Sequence, residues 1–285
     1  MASLDSTTSR EDQAQCVVPN VPGIEQIKPL RFGTLAMPKK KSIDISACRI
    51  LPDGKYLILD CDYKESRLLL FSKDGTFLRT VATFKGSSFD VCFVRNNTVA
   101  VTLQIENKTA LVDVEKNEIM ETIKLCHKCC AAASDGQKMI ISSMEKSTLV
   151  NLNDKSQTIL EGVRAHRNSL FNGNIYGTIY HEDKVYCYKS TGEVLWTFEH
   201  YGIDNPQGIT VDMYGFVYFV SQENNKVFVI SPDGQTSRII LSKDDGIKYP
   251  YEIHINRGTG IMVVSSEVKD DSDSKSYETA LVYKI

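Results

Sequence analysis

The chain has 285 residues, 42% hydrophobic and 24% charged, with a formal net charge of −3. That balance describes an ordinary soluble globular protein and excludes a globally basic nucleic-acid binder, so no DNA partner is expected. No run of about eighteen apolar residues occurs, so no membrane partner is expected, and the polar residues 1–10 have no apolar core for a secretory signal.

Residues 1–27 are polar and then carry Pro19, Pro22 and Gly23, and read as a disordered tail or linker before a domain over 28–285. Short runs rich in β-branched and aromatic residues follow, none long enough for an amphipathic helix. The first four lie near 45–51, 56–60, 67–71 and 76–82. Similar groups of four are expected over 89–125, 129–162, 169–200 and 206–240, and three more strands at 252–255, 261–265 and 279–283. Two series of turns keep step with them. One runs Asp53-Gly54, Asn96-Asn97, Asp135-Gly136, Asn172-Gly173, Tyr214-Gly215 and Gly258-Thr259. The other runs Asp74-Gly75, Lys116-Asn117, Lys155-Ser156, Thr191-Gly192 and Asp233-Gly234. Both advance by roughly 36–45 residues, the period of a four-stranded propeller blade.

The expected fold is therefore all-β, a six-bladed β-propeller of four-stranded antiparallel blades. The last blade is one strand short at Ile285, and a spare strand candidate lies at 30–35. Pairing it beside 279–283 closes the ring and removes an open edge, and Pro29 suits a peripheral strand.

The passage Pro206-x-Gly208-Ile209-Thr210-Val211-Asp212, followed by Gly215-x-Val217-Tyr218, Asn224-x-Lys226-Val227 and Asp233-Gly234, resembles an NHL repeat. Such repeats form the six-bladed propeller at the C-terminus of tripartite-motif (TRIM) proteins. The family pattern has Asp where Ser221 stands and Arg where Lys226 stands, and the 89–200 region keeps only the rhythm. The resemblance implies a non-catalytic recognition module for a protein partner, the substrate-recognition part of a TRIM-type ubiquitin ligase. The ligase activity itself would reside in a RING domain, and this chain has no series of C-x2-C pairs with zinc-finger spacing.

Eight cysteines fall mostly beside apolar residues in expected strands, as in a reduced cytoplasmic protein. Cys126-His127-Lys128-Cys129-Cys130 resembles a metal cluster, but strand alternation would split its ligands between two faces, so core packing is expected. Asp270-Asp271-Ser272-Asp273-Ser274-Lys275 lacks the glycine of a calcium loop and reads as a solvated acidic loop. No motif for nucleophilic catalysis occurs, and no catalytic residue, metal or other cofactor is expected; a channel hydrolase or lyase remains the weakest reading, with His254 as its inward candidate.

In a propeller the loops from each outermost strand to the next innermost strand gather on one face. Here they hold Lys39-Lys40-Lys41, Lys85, His127, Lys128, Arg164, His166, Arg167, His200, Tyr201, Lys248, Tyr249 and Tyr251. These basic and aromatic residues are the expected ligand-binding face. A protein partner is the first expectation, and single-stranded RNA, stacked on the tyrosines, is the alternative.

Overall fold

The computed structural model describes residues 22–38, 43–62, 64–269 and 276–285. In them, strands build six four-stranded antiparallel sheets. The innermost strands, in chain order, are Ile45–Ile50, Ser88–Arg95, Ala131–Ser134, Arg167–Phe171, Pro206–Val211 and Ile253–Asn256. Each packs against the next and the last against the first, so the sheets form a closed ring of six blades about a central channel. Among the described residues the helices are two three-residue 3-10 turns, Ile24–Gln26 and Lys243–Asp245, and none is long and apolar enough to cross a membrane.

Ring closure follows the expected pairing. Leu30–Thr34 lies antiparallel to Ser276–Lys284, with Leu30 opposite Lys284 and Thr34 opposite Leu281. A bulge at Phe32 interrupts the register. The last blade thus takes three strands from one end of the chain and its outermost strand from the other. Residues 1–21 lie outside the described residues, but residues 22–27 of the expected tail pack on the ring. Ile27 is buried, and the carbonyls of Ile24 and Glu25 accept from Arg238 on blade five.

The core lies between blades rather than within any one of them. Leu57, Leu59, Leu68 and Leu70 of blade one meet Val91, Val99, Val101 and Val112 of blade two. Val263, Ala280 and Val282 of blade six likewise meet Cys48, Ile58 and Leu69 of blade one. A sheet covered on both faces needs apolar residues at successive positions, so Tyr56–Asp60 is buried throughout. Outermost strands lose one cover, and Glu118–Lys124 is exposed at every position but Ile123.

The expected turns have the required backbone. Positive φ falls at Asn96, Asn117, Lys155 and Asn172 and at Gly54, Gly75, Gly136, Gly173, Gly192, Gly215 and Gly234, which makes the tight reversals possible; in the turn of Gly258-Thr259 it falls at Gly260 instead. In blade five, Asp212 explains its own motif. Its carboxylate accepts from the backbone N–H of Tyr214 (2.9 Å) and Phe216 (3.0 Å) and from the Tyr218 hydroxyl (3.0 Å), which ties the turn to the next strand.

Gly208 serves a different need. A Cβ there would lie 2.7 Å from both Glu252 Cα and Ile253 N, because the innermost strands of blades five and six touch at that point. Gly208→Ala is expected to cost about 1–3 kcal/mol by forcing the two blades apart. Urea unfolding measures it, and a loss under about 0.5 kcal/mol would mean that the backbone gives way freely.

Two boundaries differ from expectation. Blade three starts at Ala131 rather than 129, because residues 126–130 form the incoming loop. Blade four starts at Arg167 rather than 169, which moves Arg167 from a loop into an innermost strand. Lys39–Lys41 and the Asp270–Lys275 loop both lie outside the described residues.

Candidate functional site

Innermost strands run from the loop-bearing face to the turn-bearing face, and the turns between second and third strands return to the loop-bearing face. Contacts between the two sets confirm this: Asn205 N–H donates to Asp183 (3.0 Å), and Tyr249 N–H donates to Asn225 (2.8 Å).

On this face the expected binding residues separate into two groups. Lys85 and Lys128 are exposed and make no ion pair among the described residues. Arg164 is paired with Glu182 (3.1 Å), and Lys248 with Glu267 (2.6 Å). Tyr201 is fully exposed and stacked on His200, with ring centroids 4.4 Å apart. His200 accepts from the Gly202 N–H and also stacks on Phe198. Tyr249 is 47% exposed and held at φ 43°, a left-handed conformation that is costly for an aromatic residue. Strain of that kind at an exposed aromatic marks a candidate contact residue.

The other group is buried, except that Tyr251 is half-buried. His127 donates from Nδ1 to the Lys128 carbonyl (2.6 Å), so its Nε2 accepts from the Thr148 hydroxyl (2.7 Å). Both ring nitrogens are thus occupied within the fold, although the late start of blade three removes the alternation argument for the cysteine cluster. Cys129 and Cys130 are buried and Cys126 is exposed, and the seven described cysteines are free. His166 lies between the edges of Phe89 and Tyr180, and burial, then Arg167, pushes its pKa down to about 3. Arg167 and Tyr251 face the channel, with the guanidinium 4.7 Å from the tyrosine ring centre. Sequence reasoning missed Ile105 (74% exposed) and Tyr180 (41% exposed), which share this rim because they sit in the second-to-third strand turns. Gly86, in the loop between blades one and two, lies directly beside Ile105.

The channel is closed by charge. Arg167 reaches across from blade four to donate to the carbonyls of Phe89 (2.7 Å) and Ser46 (3.0 Å) on blades two and one. Arg49 pairs with Asp90 (2.6 Å) and Glu252 (3.1 Å), and Glu252 lies 3.6 Å from Arg167. All four side chains are buried, two cations with two anions, and Asp90 also accepts from Ala132 N–H. Burial raises the Glu252 carboxyl's pKa, and Arg49 and Arg167 act against that rise.

Towards the turn-bearing face the channel widens into a cavity of about 450 Å³. Every blade contributes to its wall, with Ile50, Phe93, Ala133, Leu170, Ile209 and Ile255 among the apolar residues. His254 lines it, with Nδ1 accepting from Ile50 N–H, which leaves the proton on Nε2. Burial, with Arg49 and Arg257 adding to it, holds this imidazole neutral. Among the described residues no carboxylate lines the cavity, and no three His, Cys, Asp or Glu side chains are grouped to hold a metal ion.

No family model matches the chain. It is 24% identical over 216 residues to the E3 ubiquitin-protein ligase TRIM56 of Mus musculus, an alignment covering 70% of this chain and 29% of the mouse protein. In fold it is similar to a structural genomics protein of unknown function from Bacteroides thetaiotaomicron. That crystal structure superposes with a TM-score of 0.68 at 14% identity, over 88% of this chain and 72% of that one. The propeller architecture and the likeness to the mouse ligase together fit a protein-binding module.

Proposed function

We propose that this chain recognises a protein partner through its loop-bearing face, as the substrate-recognition part of a TRIM-type ubiquitin ligase system. The observation that carries this reading is the ring of exposed apolar and aromatic side chains, Ile105, Tyr180, Tyr201 and Tyr249, on a rigid scaffold. Aromatic anchors with a polar surround are the usual hot spots of protein interfaces. The RNA alternative needs free cations along a groove. Of the expected cations within the described residues, Arg164 and Lys248 are neutralised by partners and Arg167 is buried, so Lys85 and Lys128 alone of that set are exposed without an ion pair. That thinning of free charge favours the protein reading over the RNA one.

The test uses the whole chain as bait with proximity labelling in cells, wild type against Ile105→Ser/Tyr201→Ser/Tyr249→Ser. These side chains are exposed, so the thermal midpoint should stay within about 2 °C of wild type. A defined set of labelled proteins should be lost with the triple variant. An unchanged set would remove this face from the function. Retention of short single-stranded RNAs at low salt, abolished by Lys85→Ala/Lys128→Ala, would favour the RNA reading instead.

A further inference from the structure

The cavity on the turn-bearing face lies at the opposite end of the channel from the proposed partner surface. Its entrance carries Arg257, at the end of the innermost strand of blade six. The guanidinium donates from Nε to the Val211 carbonyl (2.9 Å) and from Nη2 to the Leu170 carbonyl (2.8 Å), and it stacks 4.9 Å over Phe171. Those contacts fix it across the ends of blades four and five. They leave Nη1 without an acceptor, and among the described residues Arg257 makes no ion pair. Its hydrogen-bond acceptors are neutral carbonyls and no carboxylate lines the cavity, so Asp212 offsets its burial only from beyond ion-pair distance and the cation is under-compensated.

A second observation points the same way. Asn168 lines the cavity at 3% exposure, and its amide nitrogen donates to the Ser142 hydroxyl (2.7 Å). Its Oδ1 has no partner. Whichever way that amide is turned, one polar atom is left buried and unsatisfied, which native interiors rarely tolerate without a ligand or water. Apolar residues from all six blades share the remaining wall with Ser134, Ser169, Thr210 and His254. A cavity of this volume, with apolar walls interrupted by convergent polar groups, has the character of a small-molecule site.

We propose that this cavity binds a small organic monocarboxylate, its carboxylate on Arg257 and its apolar body against the six-blade wall. Guanidinium suits the planar carboxylate, and exclusion of water by Phe93, Leu170 and Ile255 strengthens that contact. A free acid and the carboxyl end of a peptide share this chemistry, and the probes separate them.

Saturation-transfer NMR on the full chain, with hexanoate, hexanol, inorganic phosphate, and a tripeptide as acid and as amide, tests the assignment. Hexanoate should bind, and hexanol and phosphate should not. Arg257→Met should weaken hexanoate about tenfold or more. Arg257 also bridges two blades, so a second variant guards against misfolding. Gly258 is exposed at the entrance, and a Cβ there meets nothing nearer than Asn256 Oδ1 at 3.5 Å. Gly258→Glu therefore places a competing carboxylate at the mouth without steric cost, and should abolish hexanoate binding at an unchanged thermal midpoint. Binding of the tripeptide acid but not its amide, with hexanoate weak, would support the site and assign it to chain ends. Equal binding of hexanol, binding of phosphate in place of hexanoate, binding unaffected by both variants, or no binding of any carboxylate would each overturn it. Loss of partner labelling in the rim variant leaves this result untouched, so the two proposals fail separately.

Discussion

Arg49→Met is expected to destabilise the propeller by about 3–5 kcal/mol at neutral pH, as removal of one partner from a buried ion pair does. Arg49 is the hub of the channel network, bonded to Asp90 at 2.6 Å and to Glu252 at 3.1 Å. Methionine fills much of its volume but leaves two buried carboxylates facing Arg167 alone, from which Glu252 is 3.6 Å distant. The pH dependence identifies the cause. Arg49 is the largest influence lowering the Glu252 pKa against burial, so its loss raises the folded-state value further above the unfolded one. A carboxyl with a raised folded pKa stabilises the fold at low pH, and that contribution is lost as pH rises through the folded pKa. The penalty of Arg49→Met should therefore be largest near pH 8 and shrink towards pH 5, read from urea midpoints at each pH. A pH-independent penalty would point to lost packing rather than lost charge. Adding Glu252→Gln to Arg49→Met should recover part of the loss, because it removes one of the two orphaned anions.

How much of this was legible in the sequence depends on the range of the interactions concerned. Turn chemistry is local, so Asp53-Gly54, Asn96-Asn97 and Asp233-Gly234 could be read directly, and their spacing carried the blade number. Closure was legible by counting: a chain one strand short at Ile285 and a spare strand near Leu30 leave one economical pairing. The charge network was not, since Arg49, Asp90, Arg167 and Glu252 come from four blades and nothing in the chain around any one of them signals the others. Only the closed ring brings them together. Arg167 is the instructive case. Its blade begins two residues earlier than its polar surroundings suggest, and that shift carries it from the rim to the channel. Ile105 and Tyr180 escaped for a topological reason, because the turns between second and third strands also reach the loop-bearing face. Arg257 sits just past a strand end, where nothing local signals that its guanidinium will span two other blades.

Deleting residues 1–36 should be nearly as damaging as the loss of Arg49, and for a different reason. The segment from Ile24 to Ala36 fastens three blades. Arg238 of blade five donates to the Glu25 carbonyl (2.7 Å), Leu35 N–H donates to Ala280 (2.9 Å) in blade six, and Ala36 N–H donates to Gly75 (2.9 Å) in blade one. Ile27 and Leu35 are buried, and burying each is worth about 1.5–3 kcal/mol, so their removal alone costs about 3–6 kcal/mol. The deletion also bares the edge of Ser276–Lys284, whose unpaired N–H and C=O groups become a template for another chain. The expected result is a lowered thermal midpoint together with concentration-dependent association, followed by light scattering. A synthetic peptide of residues 22–37 should restore both by adding the missing strand in trans, as exposed sheet edges accept extended peptides. Scrambling Ile27, Leu30 and Leu35 within that peptide should abolish the rescue. A truncated chain that stays monomeric and as stable as the full one would show that neighbouring blades hold the ring shut without this strand.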